Sequence, residues 1–79
     1  MLEIITPEKI VMSEDIESLV CHADKGMLGI LPGHADLLAN LKPGELTIRN
    51  AASQHVSVKI KGGILEVNSN RITVLTESI

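Results

Sequence analysis

The side chains in this 79-residue chain with the most reactive chemistry are Cys21, the histidines His22, His34 and His55, and the carboxylates Glu14, Asp15 and Asp36. A metal centre needs ligands that converge, and the three histidines stand too far apart in sequence for any local ligand pattern. They read as structural or surface histidines. A nucleophilic site would join a serine or Cys21 to His34 and Asp36, but side chains two apart on one strand share a face without forming a base and its orienting carboxylate. Glu14 and Asp15 fall in a polar stretch where solvation is the ordinary state. The glycines of Gly26-Met27-Leu28-Gly29 and Gly33 superficially suggest a phosphate cradle. That chemistry needs a Gly-Lys-Ser/Thr ending or a long following helix, and the sequence offers neither. No catalytic residue, cofactor or metal is expected, and the chain does not read as an enzyme.

Composition narrows the partners. There is no Phe, Tyr or Trp, which removes base stacking and the aromatic anchors common in protein interfaces. Any interface must therefore work through aliphatic groups, methionine and backbone. The net charge is −3 with scattered Lys and Arg, so there is no electrostatic footprint for nucleic acid and no polybasic membrane patch. The lone cysteine fits a reducing compartment and is expected to be a buried small hydrophobe. No apolar run reaches membrane-spanning length and no signal peptide is apparent, so the chain is expected to be soluble and unexported.

The elements that position these residues are short strands. Val56, Val58 and Ile60 alternate with Ser57, Lys59 and Lys61, the period of a strand with one buried face. Similar runs cover Leu2 to Thr6, Lys9 to Met12, Ser18 to Ala23, Glu45 to Arg49, Ile64 to Val67 and Arg71 to Thr76. Turn signals recur about every 8 to 12 residues, as in an all-β sandwich or barrel. The Leu37 segment suits a short helix as well as a strand, and strand is preferred because Pro32 and Pro43 leave little length. Ser13 to Ser18 is expected to be a connecting loop. Pro43-Gly44 predicts a type II turn closing a hairpin between the Leu37 segment and Glu45–Arg49. Asn68-Ser69-Asn70 predicts a reversal, and Gly62-Gly63 a tight corner or bulge. The expectation is one all-β domain over residues 1–79.

Four of the six glycines and two of the three prolines lie between Gly26 and Gly44, which marks a backbone of defined shape. Leu28, Ile30, Leu37 and Leu41 are expected in the core. Met27 and His34, each flanking a turn glycine, are expected to project outward as contact residues.

Ile5-Thr6-Pro7-Glu8-Lys9, Gly29-Ile30-Leu31-Pro32-Gly33-His34-Ala35, Leu41-Lys42-Pro43-Gly44 and Gly62-Gly63-Ile64-Leu65-Glu66-Val67 together resemble the epsilon subunit of F-type ATP synthases over essentially the whole chain. The resemblance implies a flattened antiparallel β-sandwich, all-β, with roughly 8 to 10 short strands. It implies a non-catalytic rotor subunit of the central stalk, bound to the gamma subunit and resting on the c-ring, that couples ring rotation to ATP synthesis in the alpha/beta head. Gly26, Met27, Leu28 and Gly29 are then the c-ring side, and Thr6, Pro32, Gly33 and His34 the gamma side. The implied location is peripheral, on the cytoplasmic face of a bacterial inner membrane or the stromal face of a plastid thylakoid. Met27 stands where many relatives carry an acidic residue, so apolar contact would replace a charged one. Bacterial relatives usually continue into two C-terminal helices that carry inhibition of hydrolysis and, in some members, ATP binding. Neither property is carried over to this chain, which is expected to be a short member or a piece of a longer one. The alternative is an independent small-ligand-binding β-sandwich or a minor hydrolase, which a thermal-shift screen with metals and nucleotides would reveal.

Overall fold

The computed structural model describes residues 1–77; Ser78 and Ile79, the last of the expected 1–79 domain, lie outside the described residues. Seven strands follow in order: β1 (Leu2–Ile5), β2 (Ile10–Glu14), β3 (Ile16–Ala23), β4 (Gly26–Ile30), β5 (Leu37–Asn50), β6 (His55–Asn68) and β7 (Arg71–Leu75). They hydrogen-bond in the order β2-β1-β7-β6-β5-β3-β4. All pairings are antiparallel except β1 with β7, which run parallel from Leu2↔Ile72 to Ile5↔Leu75.

The strand count is below the 8 to 10 expected from the resemblance because β5 and β6 each run unbroken where the sequence suggested two strands. Pro43-Gly44 does not close a hairpin. Leu37–Leu41 pairs with Gly63–Val67 and Pro43–Arg49 pairs with His55–Lys61, so both halves of β5 face β6 in one continuous register. The φ of Gly44 is 158°, nearly extended, whereas a type II turn needs about +80° at that position. Gly62-Gly63 does form the expected corner, with φ of 103° at Gly62. A Cβ added at Gly63 would collide with the Leu75 carbonyl oxygen. Ser13 to Ser18 is also more regular than a loop: β2 extends to Glu14 and β3 begins at Ile16, leaving Asp15 to cross between them. Leu37 is on a strand, as preferred. Asn68-Ser69-Asn70 reverses the chain with positive φ at Ser69 and Asn70.

The long strands divide the sheet into two layers. The first contains β2, β1, β7 and the Gly63–Val67 and Leu37–Leu41 halves; the second contains β4, β3 and the Pro43–Arg49 and His55–Lys61 halves. Period-two alternation then puts one face of each layer inward. Leu2, Ile4, Leu41, Leu65, Val67, Ile72 and Val74 come from the first layer, and Leu19, Cys21, Ile30, Leu46, Ile48 and Ile60 from the second, to form one buried cluster. Burial of that aliphatic surface, at about 25 cal/mol per Å², holds the layers together without any aromatic side chain.

Candidate interaction surfaces

The expected contact residues occupy three places. Gly26 to Gly29 belong to β4, which the two-residue turn Asp24-Lys25 joins to β3 with Ala23↔Gly26 and His22↔Met27 in register. Among the described residues β4 is an edge strand, with β3 its sole neighbour in the sheet. The sequence reading did not assign it as a regular strand, since its two glycines hide the alternation. Met27 projects outward as expected, with 64% of its surface exposed, while Leu28 is half-buried. Leu38, 72% exposed, lies with Met27 around an open cleft of about 420 Å³ lined by Ala23 to Leu28 and Leu37 to Asn40.

Pro32, Gly33 and His34 form the corner beyond the far end of β4. Their turn is closed by the His34 amide donating to the Leu31 carbonyl at 3.1 Å. Gly33 has φ of 80°, a left-handed conformation that glycine adopts without penalty. The β6–β7 turn fixes this corner from the side. The Gly33 amide donates to Asn70 Oδ1 at 2.8 Å, and the Ser69 amide donates to Asp36 Oδ1 at 3.0 Å. His34 is only half-exposed and its Nδ1 lies 2.8 Å from the Ala35 carbonyl oxygen. Asn70 and Asp36 are positioning residues that sequence reasoning missed, because their partners lie 37 and 33 residues away.

Thr6 stands apart from that corner. It closes the turn after β1, where its amide donates to the Lys9 carbonyl at 2.9 Å and its hydroxyl caps the same turn. The start of β1 lies beside Asn70, so the strand rise puts Thr6 roughly 17 Å from the Pro32–His34 corner. The structure therefore does not bring the four gamma-side residues together.

Thr6 instead borders an apolar strip that the sequence reading did not find. Ile10, Ile5, Leu75 and Ile64 are successive register partners across β2, β1, β7 and β6. They share the outward parity of the first layer, and Ile10, Leu75 and Ile64 are exposed. Beside them is an open cleft of about 540 Å³ lined by Ile5 to Pro7, Lys61 to Ile64 and Leu75 to Glu77. The signal was that Ile64 falls with Glu66 in the outward phase of the strand that buries Leu65 and Val67, but a face cannot be assembled before the order of strands is known. Thr76 secures the base of this cleft: its hydroxyl donates to the Gly62 carbonyl at 2.7 Å and its amide to the Ile5 carbonyl at 3.0 Å.

The remaining reactive groups do not converge. Among the described residues no three His, Cys, Asp or Glu side chains gather as a metal site. Cys21 is buried, its Sγ 3.7 Å from the Leu28 carbonyl oxygen, and burial pushes its thiol pKa up. That is the small hydrophobe the sequence suggested. Arg49 and Glu17 form an exposed ion pair at 3.3 Å, a contact of small energetic weight.

Two packed layers of strands with an aliphatic core between them define a β-sandwich. Residues 1–79 match the family described as "ATP synthase, Delta/Epsilon chain, beta-sandwich domain", and the chain belongs to that family. It is 41% identical over 78 residues to the ATP synthase epsilon chain of Desulfatibacillum aliphaticivorans, covering 99% of this chain and 55% of that one. It is 43% identical over 77 residues to the ATP synthase epsilon chain of Desulforamulus reducens, covering 98% and 58%. The chain thus spans little more than half the length of these relatives. A chain in the cryo-EM structure of the Euglena gracilis mitochondrial ATP synthase shares the fold, with a TM-score of 0.90 at 21% identity, covering 99% of this chain and 51% of that one. A chain of the Tetrahymena thermophila mitochondrial ATP synthase central stalk and c-ring gives a TM-score of 0.83 at 20% identity, covering 98% and 62%.

Proposed function

We propose that this chain is a non-catalytic rotor component of a proton-translocating F-type ATP synthase. It acts as one domain that docks on the gamma subunit and the c-ring and helps pass ring rotation to the catalytic head. The observation that carries the reading is the chain-long family match together with exposed aliphatic surfaces where an aromatic-free interface needs them. Gly26, Met27, Leu28 and Gly29 on β4 face the ring, with Leu38 beside them. Thr6 with the Ile10–Ile5–Leu75–Ile64 strip, and the Pro32-Gly33-His34 corner, face gamma. Those two groups lie at opposite ends of β1, so gamma must extend along most of a body measuring 26 × 25 × 20 Å. The site is peripheral to the membrane, on the cytoplasmic face in a bacterium or the stromal face in a plastid.

The test is pull-down of this chain with gamma alone and with gamma plus c-ring, followed by cross-linking of a Met27→Cys variant in the assembled complex. Cys21 is buried and does not compete for the reagent. Retention by gamma and a Met27→Cys cross-link to ring loops are the expected results. Absence of retention in both pull-downs overturns the rotor reading, whereas retention without cross-linking at Met27 and its neighbours removes only the ring contact.

A further inference from the structure

The hydrogen-bonding parity of β4 singles out an edge built to accept a strand. In the β3–β4 hairpin the two-residue turn makes Ala23↔Gly26 the first mutually hydrogen-bonded pair, and the register then continues without a bulge to Leu19↔Ile30. Alternation along an antiparallel ladder makes Cys21↔Leu28 and Leu19↔Ile30 the next bonded pairs. The N–H and C=O groups of Met27 and Gly29 therefore point away from β3, toward the open side. Exposed edges are ordinarily blunted by charge, proline or a bulge. The strand Gly26-Met27-Leu28-Gly29-Ile30 carries none of these. The opposite edge does: β2 ends in Glu14, and its ladder with β1 is irregular between Ile4 and Ile5.

We propose that the β4 edge is a strand-addition site whose partner is β4 of a second copy of this chain, paired antiparallel about a two-fold axis through Leu28. The sequence of the strand is complementary to itself in that register. Met27 of one copy stands opposite Gly29 of the other, and both present their free backbone groups, which gives four reciprocal N–H to C=O bonds. The exposed Met27 side chain then lies over Gly29 of the second copy, where no atom stands within 4 Å of a Cβ position. The half-buried Leu28 meets its own copy across the axis, and no like charges are brought together within the strand. Side-by-side pairing of five residues makes a small interface, so the dimer is weak and forms at high concentration. This inference does not rest on the rotor reading, because it concerns two copies of the free chain.

The test is sedimentation velocity of the purified chain over a wide concentration range, with amide exchange of single residues measured at both ends of it. The expected result is a rise from monomer toward dimer in which the Met27 and Gly29 amides become slow while the Leu28 amide, already bonded to β3, changes little. Gly29→Pro removes two of the four bonds without touching the β3 ladder and abolishes the dimer. A chain that stays monomeric throughout overturns the proposal, and so does a dimer that leaves the Met27 and Gly29 amides unchanged. Should Gly29→Pro lose its fold by circular dichroism, Met27→Lys supplies the decision, since it places one positive charge from each copy on the same face of the paired strands, flanking the axis, and must weaken the dimer. Undiminished association of folded Met27→Lys then overturns it.

Discussion

Gly33 and Asn70 form a small device that sets the shape of the Pro32–His34 corner. Gly33 supplies a left-handed backbone, and Asn70 holds its amide from the neighbouring turn while adopting positive φ itself. Among the described residues nothing stands within 4 Å of a Cβ at Gly33, so the main cost of Gly33→Val is conformational, about 1–3 kcal/mol in urea unfolding. Asn70→Gly keeps the turn conformation and loses only the hydrogen bond, worth about 1 kcal/mol; Asn70→Ala loses both and is expected to be the less stable variant. At Cys21, burial favours the neutral thiol, so the folded-state pKa lies above the ordinary value of a free thiol. The unfolded chain then releases its proton first as pH rises. The stabilisation from this group is complete below that ordinary value and is lost as pH climbs from it through the folded pKa. Chemical unfolding in the alkaline range should show that decline, and Cys21→Ala should show a shallower one. A thiol reagent should label Cys21 at the rate of opening of the fold rather than at the rate of a free thiol.

β5 and β6 carry the architecture because each crosses from one layer to the other without breaking. At their bend Gly63 packs against the end of β7 so closely that a methyl group would meet the Leu75 carbonyl oxygen. Gly63→Ala should therefore destabilise by about 1–3 kcal/mol, the usual cost of overpacking, measured as a shift of the urea midpoint with an unchanged slope. This bend is also where the sequence was hardest to read. The alternation of Val56, Val58 and Ile60, the Asn68–Asn70 reversal and the burial of Ile30 and Leu41 were legible, because each depends on neighbours in sequence, whereas Leu28 and Leu37, also expected in the core, are only half-buried against it. The continuity of β5 through Pro43-Gly44 was not. Local turn chemistry favours a hairpin there, and only pairing of both halves with β6 forces the strand to continue. The candidate contact surfaces were legible in part for the same reason. Met27 announced its exposure through its flanking glycine, whereas the Ile10–Ile5–Leu75–Ile64 strip exists only once four strands have been placed side by side.

The sandwich as a body has little stability to spare, since a core of this size often leaves about 3–5 kcal/mol. A partner that binds only the folded chain, present at a hundred times its dissociation constant, adds about 2.7 kcal/mol. For so small a domain this corresponds to a rise in Tm on the order of 10–20 °C. On the rotor reading proposed above, titrating gamma in a thermal-shift experiment should reveal that rise, and the Ile64→Lys and Leu75→Lys variants, which alter the exposed strip while sparing the core, should reduce it. The parallel pairing of β1 with β7 also bears on behaviour under load. The chain enters β1 beside the β6–β7 turn and leaves β7 at the opposite end of the same ladder. Tension applied between the two ends of the described chain therefore pulls these neighbouring strands lengthwise past each other, and every bond of the ladder must yield together rather than one at a time. Rupture under force is governed by the barrier to unfolding, so in a pulling experiment this domain should resist traction between the start of β1 and the end of β7 far better than traction that peels β4 from β3.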